Sequence, residues 1–296
     1  MNEPMTDLSM RTDLAMEVRE KYKNDNVEIS GVIIDESTDK KNDITITKVS
    51  IVTENGARAM GKPKGIYITL EAPRMSDSDA AYDKEVSKKL SSVIKEMLPE
   101  CKDKRPCILI AGLGNRMVTA DSLGPNVVDR INISRHIEAE FGELALDENQ
   151  LYLVCSIVPG VMAQTGMDTA EILQGIVKRI KPDYVIAIDA LAARSSKRLN
   201  RTIQIADSGI HPGSGVGNHR CEISKESLGV PVLSIGVPTV VEAAAIVHDA
   251  QGDASIAPHL NGMYVTPKDI DEAVCKIAYI VSDALNLSFL KHYAKS

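Results

Sequence analysis

Residues Thr169 to Ser195 read TAEILQGIVKRIKPDYVIAIDALAARS, and the two halves of this stretch carry different hydrophobic periods. In the first half, Ile172, Ile176, Val177 and Ile180 recur at helical spacing, which predicts a helix over Thr169–Ile180 with those side chains on one face. In the second half, Tyr184–Ile188 (YVIAI) is short, β-branched and apolar at nearly every position. That is the pattern of a strand buried on both faces. The same pattern recurs at Cys107–Ala111, Leu151–Val158, Thr202–Ile205 and Val232–Val237, with further helical periods at Val240–Asp249 and Asp269–Leu287. Strands alternating with helices in this way predict a doubly wound, mainly parallel sheet.

The first third reads differently. Asp43–Thr53 and Gly65–Leu70 alternate apolar and polar residues, as half-exposed strands do, and Ala80–Leu98 carries Val86, Leu90, Val93 and Met97 at helical spacing. Turn chemistry is expected at Glu54-Asn55-Gly56 and around Gly61-Lys62-Pro63. No linker forces a second domain, so one α/β domain with an N-terminal appendage is expected. The 296 residues are 44% hydrophobic and 25% charged, enough for a substantial core built without tryptophan and with only 2 phenylalanines. A net charge of −7 argues against a nucleic-acid surface. No apolar run approaches the ~18 residues of a membrane span, and no secretion signal is evident at the N-terminus. The 5 scattered cysteines read as reduced thiols of a cytosolic protein.

Ligands of open α/β sheets bind beyond the carboxyl ends of the strands. Three carboxylates follow apolar runs there: Asp121 in the loop after CILIA, Asp189 after YVIAI, and Asp207 after TIQI. Gly112-Leu113-Gly114-Asn115 starts like a dinucleotide fingerprint, but Met117 stands where the third glycine belongs, so a tight turn is the better reading. Asp189 and Asp121 could each be a helix N-cap. Brought together on one rim, they would instead split their titrations, one ionised to activate water and the other protonated to donate. Asp207-Ser208-Gly209 resembles the motif of pepsin-type proteases, although the surrounding alternation does not suit that all-β fold. A Cys221 nucleophile with His219 as base is a weaker arrangement, because residues two apart in one loop seldom orient each other.

Longer blocks are more specific. GLGNRMVTADSLGPNVV (112–128), SIVPGVMAQTGMDTAEI (156–172), IKPDYVIAIDALAARS (180–195) and IADSGIHPGSGVGNHR (205–220) resemble the germination protease (spore protease) family of spore-forming bacteria. The likeness extends to KPKGIYITLEAP (62–73) and MYVTPKDID (263–271), covering nearly the whole chain in order. One departure is Ala120, where the family pattern expects proline, and it bears on the stiffness of the loop. The resemblance implies a three-layer α/β sandwich similar to the hydrogenase-maturation endopeptidases, with extra β-rich elements in the first third. It also implies an aspartic-type endopeptidase of the spore core that degrades small acid-soluble spore proteins at germination. Asp121 and Asp189 would be catalytic, with neither metal nor cofactor. Asp207, His211, Gly213 and Gly215 form a candidate supporting loop. No direct contact with nucleic acid or membrane is expected.

The same resemblance implies a self-processing zymogen that assembles as a homotetramer. Near its start the chain repeats a hexad, MTDLSM (5–10) then RTDLAM (11–16), too short for a structural array. Family substrates are cut after an acidic residue, which makes Asp13–Leu14 the expected processing bond, 1–13 the propeptide and 14–296 the peptidase domain. The simpler reading of this stretch is a helix start with Thr12 or Asp13 as cap and Leu14, Val18 and Tyr22 facing inward. Two other functions compete: a metal-dependent maturation-type peptidase in which His211 joins the aspartates, and a silent homologue that only binds spore proteins.

Overall fold

The apolar runs become neighbours in one sheet. The structure, a computed structural model, describes residues 12–18, 29–77, 79–98, 105–213, 221–251 and 257–291. Its strands are β1 Val32–Asp39, β2 Ile44–Ile51, β3 Gly65–Glu71, β4 Cys107–Gly112, β5 Leu153–Ile157, β6 Tyr184–Ala193, β7 Thr202–Ala206, β8 Val232–Glu242 and β9 Tyr264–Val265. They lie in the order β1-β2-β3-β7-β8-β6-β4-β5, with β9 paired to β8. The contiguous strands β8, β6, β4 and β5 are parallel. The β-rich first third extends this sheet with antiparallel strands and joins it through β7, which runs against both β3 and β8. The expected α/β sandwich stands, with its parallel part concentrated where the two aspartates lie.

Side chains alternate across each strand and so feed two different cores. Ile108, Ile110, Ile186, Ile188 and Ile235 enter the first face, packed with helices Ala80–Met97, Leu123–Val128 and Ile270–Ser288. Leu109, Ala111, Val185 and Ala187 enter the second, packed with helix Thr169–Ile180 and the turn Lys225–Leu228. The chain therefore leaves β4 over one face and β5 over the other. The topological switch point falls between β4 and β6, where such sheets bind ligands. Under the antiparallel half, the second face has a separate core of Val49, Ile51, Met60, Tyr67 and Ala206, which Ala15 of the N-terminal segment helps to cover.

Several local expectations change. Glu54–Met60 is a helix rather than a turn, because Thr53 caps it by accepting from Gly56 N at 3.1 Å and Gly61 ends it in the left-handed conformation. β8 runs on to Glu242, so the following helix starts at Ala243 instead of Val240. Helix Thr169–Ile180 buries Ala170, Leu173 and Val177, while Ile172 and Ile180 stay half-buried at its flanks. β1 has no counterpart in the sequence reading, since an edge strand with a mostly exposed, polar pattern lacks the apolar signal.

Candidate active site

The loop after β4 is shaped by close backbone approaches. Gly114 has φ +104°, and a Cβ there would lie 2.0 Å from the carbonyl oxygen of Asp121. This closeness lets Asn115 N–H reach both the Asp121 carboxylate (2.8 Å) and its carbonyl (3.0 Å). Gly124 likewise admits no side chain, as a Cβ would stand 2.4 Å from Leu113 O and 2.5 Å from Ile188 O. The glycines thus serve packing of the loop and helix onto β4 and β6. From β8, Thr239 Oγ1 donates to Ala120 O at 2.6 Å and pins the loop beside Asp121. The cap position of helix Leu123–Val128 is Ser122, and Asp121 closes the preceding 3₁₀ turn.

Asp189 is not a helix cap either, because β6 continues past it to Ala193. It is 5% exposed, and its Oδ1 accepts from Ala190 N at 2.9 Å. Its register partner on β8 is Gly236, whose own partner on β7 is Gln204. The three residues form a row across the sheet, and residues so paired project to the same face. Gly236 contributes no side chain, and a Cβ there would stand 2.5 Å from Leu191 Cδ1, so the Leu191 side chain occupies the space over it. Asp121 and Asp189 line one cavity of ≈ 230 Å³, together with Leu113, Thr169 and Thr239.

Asp13 lines that cavity too. The β6–β8 register slips between Leu191 and Ala192, and there the backbone of Ala192 engages the N-terminal segment. Asp13 N donates to Ala192 O at 3.2 Å, while Ala192 N donates to Asp13 Oδ2 at 2.9 Å. Lys62 Nζ (3.0 Å) and Gln204 Nε2 (3.1 Å) both donate to the carbonyl oxygen of Asp13. Leu14 is fully buried against Leu191, Ala193 and Ile210. Beyond it, residues 15–18 form a helical turn, and the buried Glu17 accepts from Arg194 N (2.8 Å), Ser195 N (3.0 Å) and the Thr12 hydroxyl. The inward-facing residues of the simpler reading therefore include Leu14 and a half-buried Val18, while Tyr22 lies outside the described residues.

Asp13 also borders a second cavity, of ≈ 410 Å³, lined by Lys62, Tyr67, Gln204, Ser208 and His211. Burial holds the Lys62 ammonium below the usual lysine range, opposed by the Asp13 and Glu17 carboxylates. Burial also pushes the Tyr67 hydroxyl up to about 12, and that hydroxyl donates to Pro63 O at 2.9 Å. The sequence reading missed Lys62, Gln204, Glu17 and Thr239. Gln204 left one trace, as the polar residue inside TIQI, whereas Lys62 was read as part of a turn and as the first residue of a family block, with no role assigned.

The candidate supporting loop divides. Asp207 is exposed and binds Ile66 N at 2.7 Å, tying β7 to β3. His211 lines the Lys62 cavity, whereas Gly213 lines the aspartate cavity. Gly215, and the His219 paired with Cys221 in the weaker alternative, lie outside the described residues. His211 thus does not join Asp121 and Asp189 in their cavity, and its Nε2 stands 3.6 Å from Glu222 instead. Among the described residues no three His, Cys, Asp or Glu side chains are grouped to hold a metal ion, and no described helix is long and apolar enough to cross a membrane.

The chain's relatives agree on one family. A family model described as germination protease matches residues 10–255. A germination protease of Caldanaerobacter subterraneus is 43% identical over 95% of this chain and 94% of its own length, and one of Clostridium perfringens is 39% identical over 95% of each. That of Priestia megaterium is 46% identical over 83% of this chain and 67% of its own. Among solved structures, the NiFe hydrogenase maturation protease HycI from Thermococcus kodakarensis is similar at TM-score 0.33 and 20% identity, over 65% of this chain and 98% of that one. With a family match across most of the sequence and relatives spanning nearly all of it, the chain belongs to the germination protease family and is a protease of spore germination.

Proposed function

We propose that this protease is a self-processing, aspartic-type endopeptidase in which Asp121 and Asp189 act on the bond Asp13–Leu14. The observation that carries the reading is that Asp13 lines the same cavity as both aspartates while Leu14 is buried directly beside it. An ionised carboxylate of the pair takes a proton from water, and the resulting hydroxide attacks the Asp13 carbonyl carbon. The other carboxyl group, protonated, donates to the Leu14 nitrogen as the C–N bond breaks. The products are the carboxylate of Asp13 and the amine of Leu14, and residues 1–13 leave as a propeptide. In trans, the same cleft takes small acid-soluble spore proteins in the spore core, cut after an acidic residue that occupies the place of Asp13. The mature enzyme is a homotetramer, an assembly that light scattering of the purified chain reads directly.

Intact-mass measurement of the purified chain during mild acidification and drying tests the central claim. The wild-type chain is expected to lose residues 1–13 and then to fragment an added small acid-soluble spore protein. If Asp189→Asn and Asp121→Asn chains still shed those residues at the wild-type rate, the two-aspartate assignment is wrong. If the added spore protein stays whole once the leader is gone, the substrate assignment is wrong.

A further inference from the structure

The described N-terminal segment meets the protein from two sides, and only one of them holds the aspartates. Asp121 and Asp189 line the smaller cavity, whereas Lys62 and Gln204 line the larger one, and Asp13 borders both. The donors from the larger cavity converge on one atom, the Asp13 carbonyl oxygen, at 3.0 and 3.1 Å. The orientation of the Gln204 amide is fixed by its other end, since Oε1 accepts from Ala15 N at 2.7 Å and leaves Nε2 to face the carbonyl. Gly236 sits between Asp189 and Gln204 in the register row, and the Leu191 side chain that lies over it packs with Leu14 of the segment.

We infer that Lys62 and Gln204 are catalytic residues that form the oxyanion-binding pair of this protease, receiving the carbonyl oxygen of the residue after which the chain is cut. The inference rests on the reading of Asp13–Leu14 as the scissile bond. As hydroxide adds to the carbonyl carbon from the aspartate side, negative charge develops on the oxygen held from the other side. A cation and an amide dipole already aimed at that oxygen stabilise the transition state without further reorganisation, and one such donor is typically worth ~10²–10³ in rate. The pair also reads the backbone of the cleaved residue rather than its side chain. A cleft that holds Asp13 in cis therefore offers the same two donors to a substrate strand in trans.

The test follows release of residues 1–13 by intact mass in the full-length chain. Lys62→Met removes the cation, and Gln204→Glu keeps the acceptor for Ala15 N while replacing the donor by a carboxylate oxygen. Each is expected to slow release by about 100-fold or more, while Lys62→Arg, which keeps a cationic donor, retains a rate within about tenfold of wild type. Hydrogen exchange over residues 190–195 reports whether Asp13 stays docked on Ala192 in each variant. Release at the wild-type rate in Lys62→Met and Gln204→Glu overturns the assignment, as does slowing that appears only with lost protection over 190–195, since the pair would then merely dock the segment. A wild-type chain that never sheds residues 1–13 overturns the scissile-bond reading first, and this assignment with it.

Discussion

The two faces of the sheet are built differently. On the first, one core runs from Ile44 and Ile68 in the antiparallel half to Val154 on β5, packed throughout with helices Ala80–Met97 and Ile270–Ser288. On the second, the parallel half packs with helix Thr169–Ile180, the antiparallel half is covered in part by the N-terminal segment, and the two cores do not merge. The seam between them is where Asp189, Gly236 and Gln204 lie in a row and where Asp13 sits. A continuous core resists opening, because every side chain lost from it leaves a cavity among close-packed neighbours. A divided face leaves a groove that a strand of substrate can enter. Stability therefore belongs to the first face and chemistry to the second, and substitutions should separate the two.

The largest separation is expected at the seam. Asp189→Asn and Asp121→Asn each keep a side-chain oxygen for the bonds from Ala190 N and Asn115 N, so the melting temperature should stay close to wild type. The rate of propeptide release should fall at least ~10³-fold, equivalent to ~4 kcal/mol of activation free energy. On the first face the expectation reverses. Phe289 is 1% exposed and packs edge-on to Tyr152 with ring centroids 5.7 Å apart. Phe289→Ala should cost about 3–5 kcal/mol of stability, seen as a lowered urea midpoint, with the release rate of the folded protein unchanged. A Phe289→Ala chain that is stable yet slow to process would erase the distinction between the faces.

The first face was also the more legible in the sequence. The alternating patterns in 43–53 and 65–70, the apolar run 107–111 and the helical patterns in 80–98 and 269–287 all report burial, and burial is what hydrophobic patterning encodes. Asp121 and Asp189 stood out because a carboxylate at the end of an apolar strand is costly to bury without a purpose. Lys62 and Gln204 were hidden for the opposite reason. A lysine in a Gly-Lys-Pro turn and one glutamine in a strand have ordinary solvent-facing explanations, and only the register across β8 places Gln204 opposite Asp189. Strand direction was equally silent, since TIQI reads the same whether β7 runs with β8 or against it.

A middle-sized effect should come from Glu17, which anchors the leader to the seam. Its carboxylate is 3% exposed, holds Arg194 N and Ser195 N, and lies 3.7 Å from the Arg198 guanidinium, which also reaches Glu71 at 3.2 Å. Glu17→Gln removes the charge beside a buried arginine while keeping the shape. The expected loss is about 2–3 kcal/mol by urea titration, because Glu71 still compensates part of the arginine charge. Unlike Phe289→Ala, it should also loosen the segment that presents Asp13, so processing slows and stability falls together. A drop in one without the other would uncouple the leader from the second-face core.

The smallest effect tests whether the second face tolerates change away from the seam. Helix Thr169–Ile180 opens with a capping box: Asp168 accepts from Ala170 N at 2.8 Å, and Glu171 accepts from Asp168 N at 2.9 Å. Asp168→Ala leaves a first-turn N–H without its acceptor and takes a negative charge from the positive end of the helix dipole. About 1 kcal/mol of stability should be lost. Thr169, the next residue, lines the aspartate cavity, so a frayed helix start would also be felt by the chemistry. Processing in Asp168→Ala at the wild-type rate, with the melting temperature lowered by a few degrees, means that the loop after β4 and strand β6 hold the aspartates without help from this helix. Slower processing at that small stability cost would make the helix start part of the cleft wall, and the chemical region of the second face would then extend beyond the seam to its covering helix.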